Sequence, residues 1–287
     1  MRRIVAWLLV IALVVGIGYT AYVGYEGSRQ MVSVDDARSR DCRTPDVLFG
    51  WAYEAINYDI GDDDALKAAN PDMSDCDSPG AKAGTEVVTP DGVRIAGWYV
   101  PAANGIGPTG PTVVLMHGFS SNKTDILGYA VGLHEDFNLV AIDQRNAGRS
   151  TGDKTTAGVL EQDDLRAVID WLERTKAPEH VGVLGNSLGA AGAITEARTD
   201  PRVEALALDS MHTRLVYQFE QRLAHNGHPA YPGVWAIFAG AWLRTGGVDL
   251  GDADPADALA DLSGRPMLLT HGTADDEDLP YRTEAFA

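Results

Sequence analysis

Gly185-Asn186-Ser187-Leu188-Gly189 sets a hydroxyl nucleophile between two glycines. An apolar run, Val181 to Leu184, precedes it, and an Ala-rich run, Ala190 to Ala197, follows. That order predicts a strand, a sharp turn and a helix, with the serine at the tip. Glycine on both sides suits a strained turn where a helix must come close to a strand. The hydroxyl would then project outward, and the amide of Leu188 would point at the same spot. A serine hydroxyl is a weak nucleophile until a base takes its proton. The chemistry such a residue performs is acyl transfer, with negative charge building on a carbonyl oxygen.

Other segments must position it. Thr112 to Met116 predicts a buried strand running into His117-Gly118-Phe119-Ser120. Leu139 to Ile142 predicts the next, running into Asp143-Gln144-Arg145-Asn146-Ala147-Gly148-Arg149-Ser150. Gly158 to Thr175 reads as a helix with Leu165, Val168, Ile169 and Leu172 on one face. Val203 to Leu208 predicts a strand ending in Asp209, and Pro266 to Thr270 another, ending in His271-Gly272-Thr273-Ala274-Asp275. Strands alternating with helices predict an α/β fold with a parallel sheet, whose site lies beyond the carboxyl ends of the strands. Asp91-Gly92, between Val87-Val88 and Val93 to Val100, predicts an antiparallel hairpin.

Over about the last 200 residues this order resembles the α/β-hydrolase superfamily. The Asp143-x-Arg145-Asn146-x-Gly148-x-Ser150 run and the Gly-Asn-Ser turn are similar to the lysophospholipase and dipeptidyl-peptidase-like serine hydrolases. The resemblance implies a mostly parallel sheet opened by an antiparallel hairpin. It implies Ser187 as nucleophile, Asp275 as acid, and the backbone N–H groups of Phe119 and Leu188 as oxyanion hole. Asp209 is the alternative acid, and His117 and His271 are turn-shaping residues. The reaction implied is hydrolysis of a small-molecule carboxylic ester or related acyl bond through an acyl-serine, with no cofactor and no metal. Peptide cleavage and a non-catalytic binding role are the alternatives. The resemblance places the catalytic histidine some 25–30 residues after the acid, but no histidine follows His271. The expectation is therefore a record cut short before the family's last strand and helix, leaving Pro266 to Thr270 as an apolar sheet edge. His212, near the carboxyl edge of the sheet, and His225 and His228 are the substitutes to weigh. His134 and His180 precede strands and fall at the opposite end.

The chain of 287 residues divides into 1–25, 26–84 and 85–287. Met1-Arg2-Arg3 precedes 22 mostly apolar residues, Ile4 to Tyr25, long enough to cross a hydrocarbon core. The arginines should stay cytoplasmic and place the rest outside, as a single-pass cell-membrane protein. An uncleaved anchor is favoured over a cleaved signal peptide because no clear small-x-small site follows. Residues 26–84 are acidic and carry Phe49, Trp51, Tyr53 and Tyr58, so this segment is expected to pack against the hydrolase core. It holds the two cysteines, Cys42 and Cys76, which an oxidising compartment would join. Such a bridge would stabilise the region by up to roughly 4 kcal/mol. Asp72, Asp75 and Asp77 fit no calcium loop well. A net charge of −18 repels nucleic acid and anionic membranes. Residues 210–250 are rich in aromatics and read either as a lid lining the site or as packing.

Overall fold

The computed structural model describes residues 2–33, 43–57, 87–262 and 264–275. Cys42, Cys76, Tyr58 and the aspartates at 72, 75 and 77 lie outside the described residues. One seven-stranded sheet organises the molecule. In chain order its strands are β1 (Glu54–Ile56), β2 (Gly97–Val100), β3 (Thr112–Met116), β4 (Asn138–Ile142), β5 (Val181–Asn186), β6 (Val203–Asp209) and β7 (Met267–Thr270). Their spatial order is β1-β2-β4-β3-β5-β6-β7. The pairs from β4 to β7 are parallel, and β1–β2 and β2–β4 are antiparallel.

The central strands read as nearly continuous apolar runs because both faces of the sheet are covered. Val114, Met116, Val140 and Ile142 point into one core with Leu165, Val168, Ile169 and Leu172, the predicted apolar face of the helix Glu161–Thr175. Leu115, Leu139, Ala141 and Trp98 point into the other, against Ile126 and Leu127. Phe49, Trp51 and Tyr53 pack onto that second core, as expected for their segment.

The antiparallel opening differs in detail from the expected hairpin. Asp91-Gly92 does sit in a turn, closed by Thr89 N–H donating to Val93 O at 2.8 Å and by a Val88–Arg94 bridge. Within the sheet, however, β2 lies between β4 and β1, the latter from further upstream. The Asn57 side chain, just past β1, ties that strand to both arms of the Asp91-Gly92 turn, donating to Val87 O at 2.8 Å and Ile95 O at 2.7 Å.

The N-terminal helix α1 runs Arg2–Val32, seven residues past the expected end at Tyr25. It is long and apolar enough to cross a membrane. Its first part, Ile4 to Gly18, is exposed throughout. Its last part packs against two helices inserted between β6 and β7, Leu215–His225 and Ala230–Thr245. Val23, Met31 and Val32 share a third apolar core there with Phe219, Leu223 and Ile237.

Candidate active site

The turn between β5 and the following helix, Leu188–Ala197, holds Ser187 at φ 49°, ψ −110°. A non-glycine residue at positive φ is strained and persists only where its surroundings hold it. Here Ser187 N–H donates to Asp209 O at 2.8 Å, tying the turn to the end of β6. The flanking glycines meet a steric demand. A Cβ on Gly185 would lie 2.7 Å from Ala190 Cα, and one on Gly189 would overlap the carbonyls of Met116 and His117. Only glycine lets the helix start this close to β3 and β5.

Ser187 borders a cavity of about 650 Å³, together with Gly118, Phe119, Leu188 and His212. Leu188 is the first residue of its helix, so its N–H has no carbonyl one turn back to bond. The positive end of that helix favours negative charge at the cavity.

The loop carrying Phe119 is held from behind. His117 is buried, and both ring nitrogens are occupied. Its Nε2 accepts from Gln144 N–H at 3.1 Å, so Nδ1 carries the proton and donates to Gly118 O at 2.8 Å. Burial lowers its pKa, keeping it neutral in this shaping role. Asp143, fully buried, accepts from Lys123 N–H at 2.9 Å and Arg149 N–H at 2.9 Å and pairs with the Lys123 ammonium. Burial pushes this carboxyl's pKa up, but Lys123 and the Arg149 N–H outweigh it and hold it below the ordinary carboxylate value. Arg145 reaches Asp164 at 2.8 Å and Asp91 at 2.9 Å. Ser150 Oγ accepts from Ala96 N–H at 2.8 Å. The Asp-x-Arg-Asn-x-Gly-x-Ser run thus braces the loop that carries Phe119 from behind, through Gln144 and His117.

Asp275 follows β7 and does not border the cavity; its Oδ2 lies 3.3 Å from His271 Nε2. Asp209 accepts from Asn186 Nδ2 at 2.9 Å and from Thr270 Oγ1 at 2.8 Å. His212 is buried at the cavity, and burial pushes its pKa down to about 4. His228 also borders the cavity, 5.7 Å from the Tyr19 ring, while His225 is exposed. His134 contacts Pro101 O and His180 contacts Glu204, both at the amino ends of strands.

Leu215, Phe219, Leu223 and Ile237 border the cavity and also belong to the third core. Sequence reasoning missed the opposite wall, which is α1 itself: Tyr22, Val23, Glu26, Gly27, Gln30 and Met31 face the same space. The available signal was the small pair Gly24-x-x-x-Ser28 on α1, matched by Ala236-x-x-x-Gly240 in the lid.

Fold and sequence agree on the class. Residues 111–243 match the family described as alpha/beta hydrolase fold, and the chain belongs to the α/β-hydrolase superfamily. The uncharacterized protein Rv2307c of Mycobacterium tuberculosis is 31% identical over 199 residues, covering 68% of this chain and 63% of that protein. The chain therefore spans under two thirds of that relative's length. YfhR of Escherichia coli is 26% identical over 230 residues, covering 77% of this chain and 70% of that one. Among solved structures, the Pyrococcus furiosus esterase Pf2001 superposes with a TM-score of 0.55 at 22% identity, over 70% of this chain and 75% of that one.

Proposed function

We propose that this protein is a membrane-anchored, extracytoplasmic serine hydrolase that cleaves a carboxylic ester through an acyl-serine. The observation carrying this reading is Ser187, held at positive φ on the cavity wall immediately before the first turn of a helix. Ser187 Oγ attacks the acyl carbon while a histidine takes its proton. The developing oxyanion rests between the N–H groups of Phe119 and Leu188. The histidine returns the proton to the departing alcohol, and water then releases the acid.

Asp275 is the orienting acid in this reading. Asp209 is disfavoured because its two oxygens already hold Asn186 and Thr270. Among the described residues, His212 and His228 border the cavity, and neither has a carboxylate to orient it. Every histidine of the sequence lies among the described residues, and His212 and His228 are the two at the cavity that can take the proton. The anchor is read as uncleaved, with Arg2 and Arg3 on the cytoplasmic side.

Ser187→Ala should abolish turnover of a short p-nitrophenyl ester, and Asp275→Asn should slow it by roughly 10²–10⁴-fold. A Ser187→Ala protein that retained the wild-type rate would sink the assignment.

A further inference from the structure

α1 and the lid helix Ala230–Thr245, labelled αL below, are packed too closely to be separable parts. A Cβ on Gly24 would lie 2.8 Å from Ala236 Cβ, and one on Gly240 would lie 2.5 Å from Ser28 Oγ. Arg244 Nε donates to Ser28 Oγ at 3.0 Å, and its guanidinium stands 4.7 Å over the Tyr25 ring. Beyond αL, Thr155 N–H donates to Val32 O at 2.9 Å. The contacts advance together along both helices: Val23 meets Gly233, Gly24 meets Ala236 and Ser28 meets Gly240. The two helices therefore run parallel, and the start of αL lies level with Tyr19 to Val23.

That level can be set against a bilayer. Ile4 to Gly18, the fully exposed stretch, is 15 residues or about 22 Å long. A hydrocarbon core is about 30 Å thick. Spanning it needs about five more residues, to about Val23, which brings the first turns of αL to the outer boundary. The outward stripe of αL is apolar: Tyr231, Trp235, Ala239, Trp242 and Leu243, with Trp235 62% and Leu243 72% exposed. An exposed stripe of this kind demands an occupant. It is continuous with the apolar span of α1, and tryptophan and tyrosine are the residues that favour the headgroup boundary.

We propose that α1 and αL dock together on the bilayer, with Tyr231 and Trp235 in the outer interface, so that the cavity walled by α1 opens at the membrane and takes its ester from the lipid phase. The inference rests on the anchored-hydrolase reading above. It assigns the substrate class as an amphiphilic ester with an acyl chain, with Tyr22, Val23, Phe219 and Ile237 as the apolar wall beside the chain.

The test uses the full-length protein in phosphatidylcholine vesicles with or without dibrominated acyl chains, which quench tryptophan on contact. Trp235→Phe should lower the quenchable fraction of the emission, whereas Trp51→Phe, which removes an emitter of the far core, should raise it. An unchanged quenchable fraction in Trp235→Phe, with α1 verified present by mass, would overturn the docking. In the second arm, Trp235→Asp should cut hydrolysis of a vesicle-borne long-chain ester by about tenfold or more. It should leave a short soluble ester within about twofold. Equal effects on both esters would overturn the membrane route. Wild-type protein inert towards both esters would defeat the hydrolase reading instead, and the quenching arm would still decide the docking.

Discussion

At the scale of single residues, the site depends on groups that never touch substrate. Lys123 and Asp143 are buried together behind the loop that carries Phe119. Removing one partner of a buried pair leaves an uncompensated charge, so Lys123→Met should cost about 3–5 kcal/mol. Thermal unfolding in detergent measures this, and a loss below about 1 kcal/mol would contradict the role assigned to the pair. His212 makes a pH prediction. Its folded pKa of about 4 lies below its ordinary value of 6.5, so between those pH values the unfolded chain binds more protons. Its contribution is fully present above about pH 6.5 and is lost as pH falls towards 4, by up to about 3 kcal/mol. His212→Gln should therefore flatten the decline of melting temperature between pH 7 and pH 4.5. Parallel declines in wild type and variant would refute this origin.

At the scale of elements, one glycine sets the distance between α1 and the lid. Gly240→Val would force a side chain into Ser28 and the Gly24 carbonyl, parting the two helices. The variant should lose about 1–3 kcal/mol and open the cavity wall. A variant as stable and as active as wild type would show that the packing is not needed. The contrast between legible and illegible elements has a physical cause. The strands from β3 to β7 were readable within two residues because each is an apolar run ending in a loop of polar chemistry. Ser187, Phe119 and Leu188 border one cavity because strand ends converge there. β1 was not readable: three residues carry no periodicity, and its place depends on the distant bonds of Asn57. Nor was the packed face of α1, since an all-apolar span hides which side meets protein. Asp275 was placed by resemblance, and its neighbour in the structure is His271.

At the scale of the whole molecule, α1 and the α/β fold are packed together, since α1 supplies a cavity wall and a share of the third core. With a net charge of −18, attachment to anionic lipid by charge is disfavoured, so the proposed membrane retention rests on apolar contact. The protein should stay in the membrane fraction through a high-salt wash, and release by salt alone would refute an apolar anchor. The central claim is that Ser187 is an activated nucleophile at the head of this cavity. The most direct measurement treats the full-length, membrane-embedded protein with a fluorophosphonate and maps the adduct by peptide mass. A single adduct on Ser187, absent from Ser187→Ala, is the expected result. A folded protein with no adduct at Ser187, or with one unaffected by the substitution, would contradict the account.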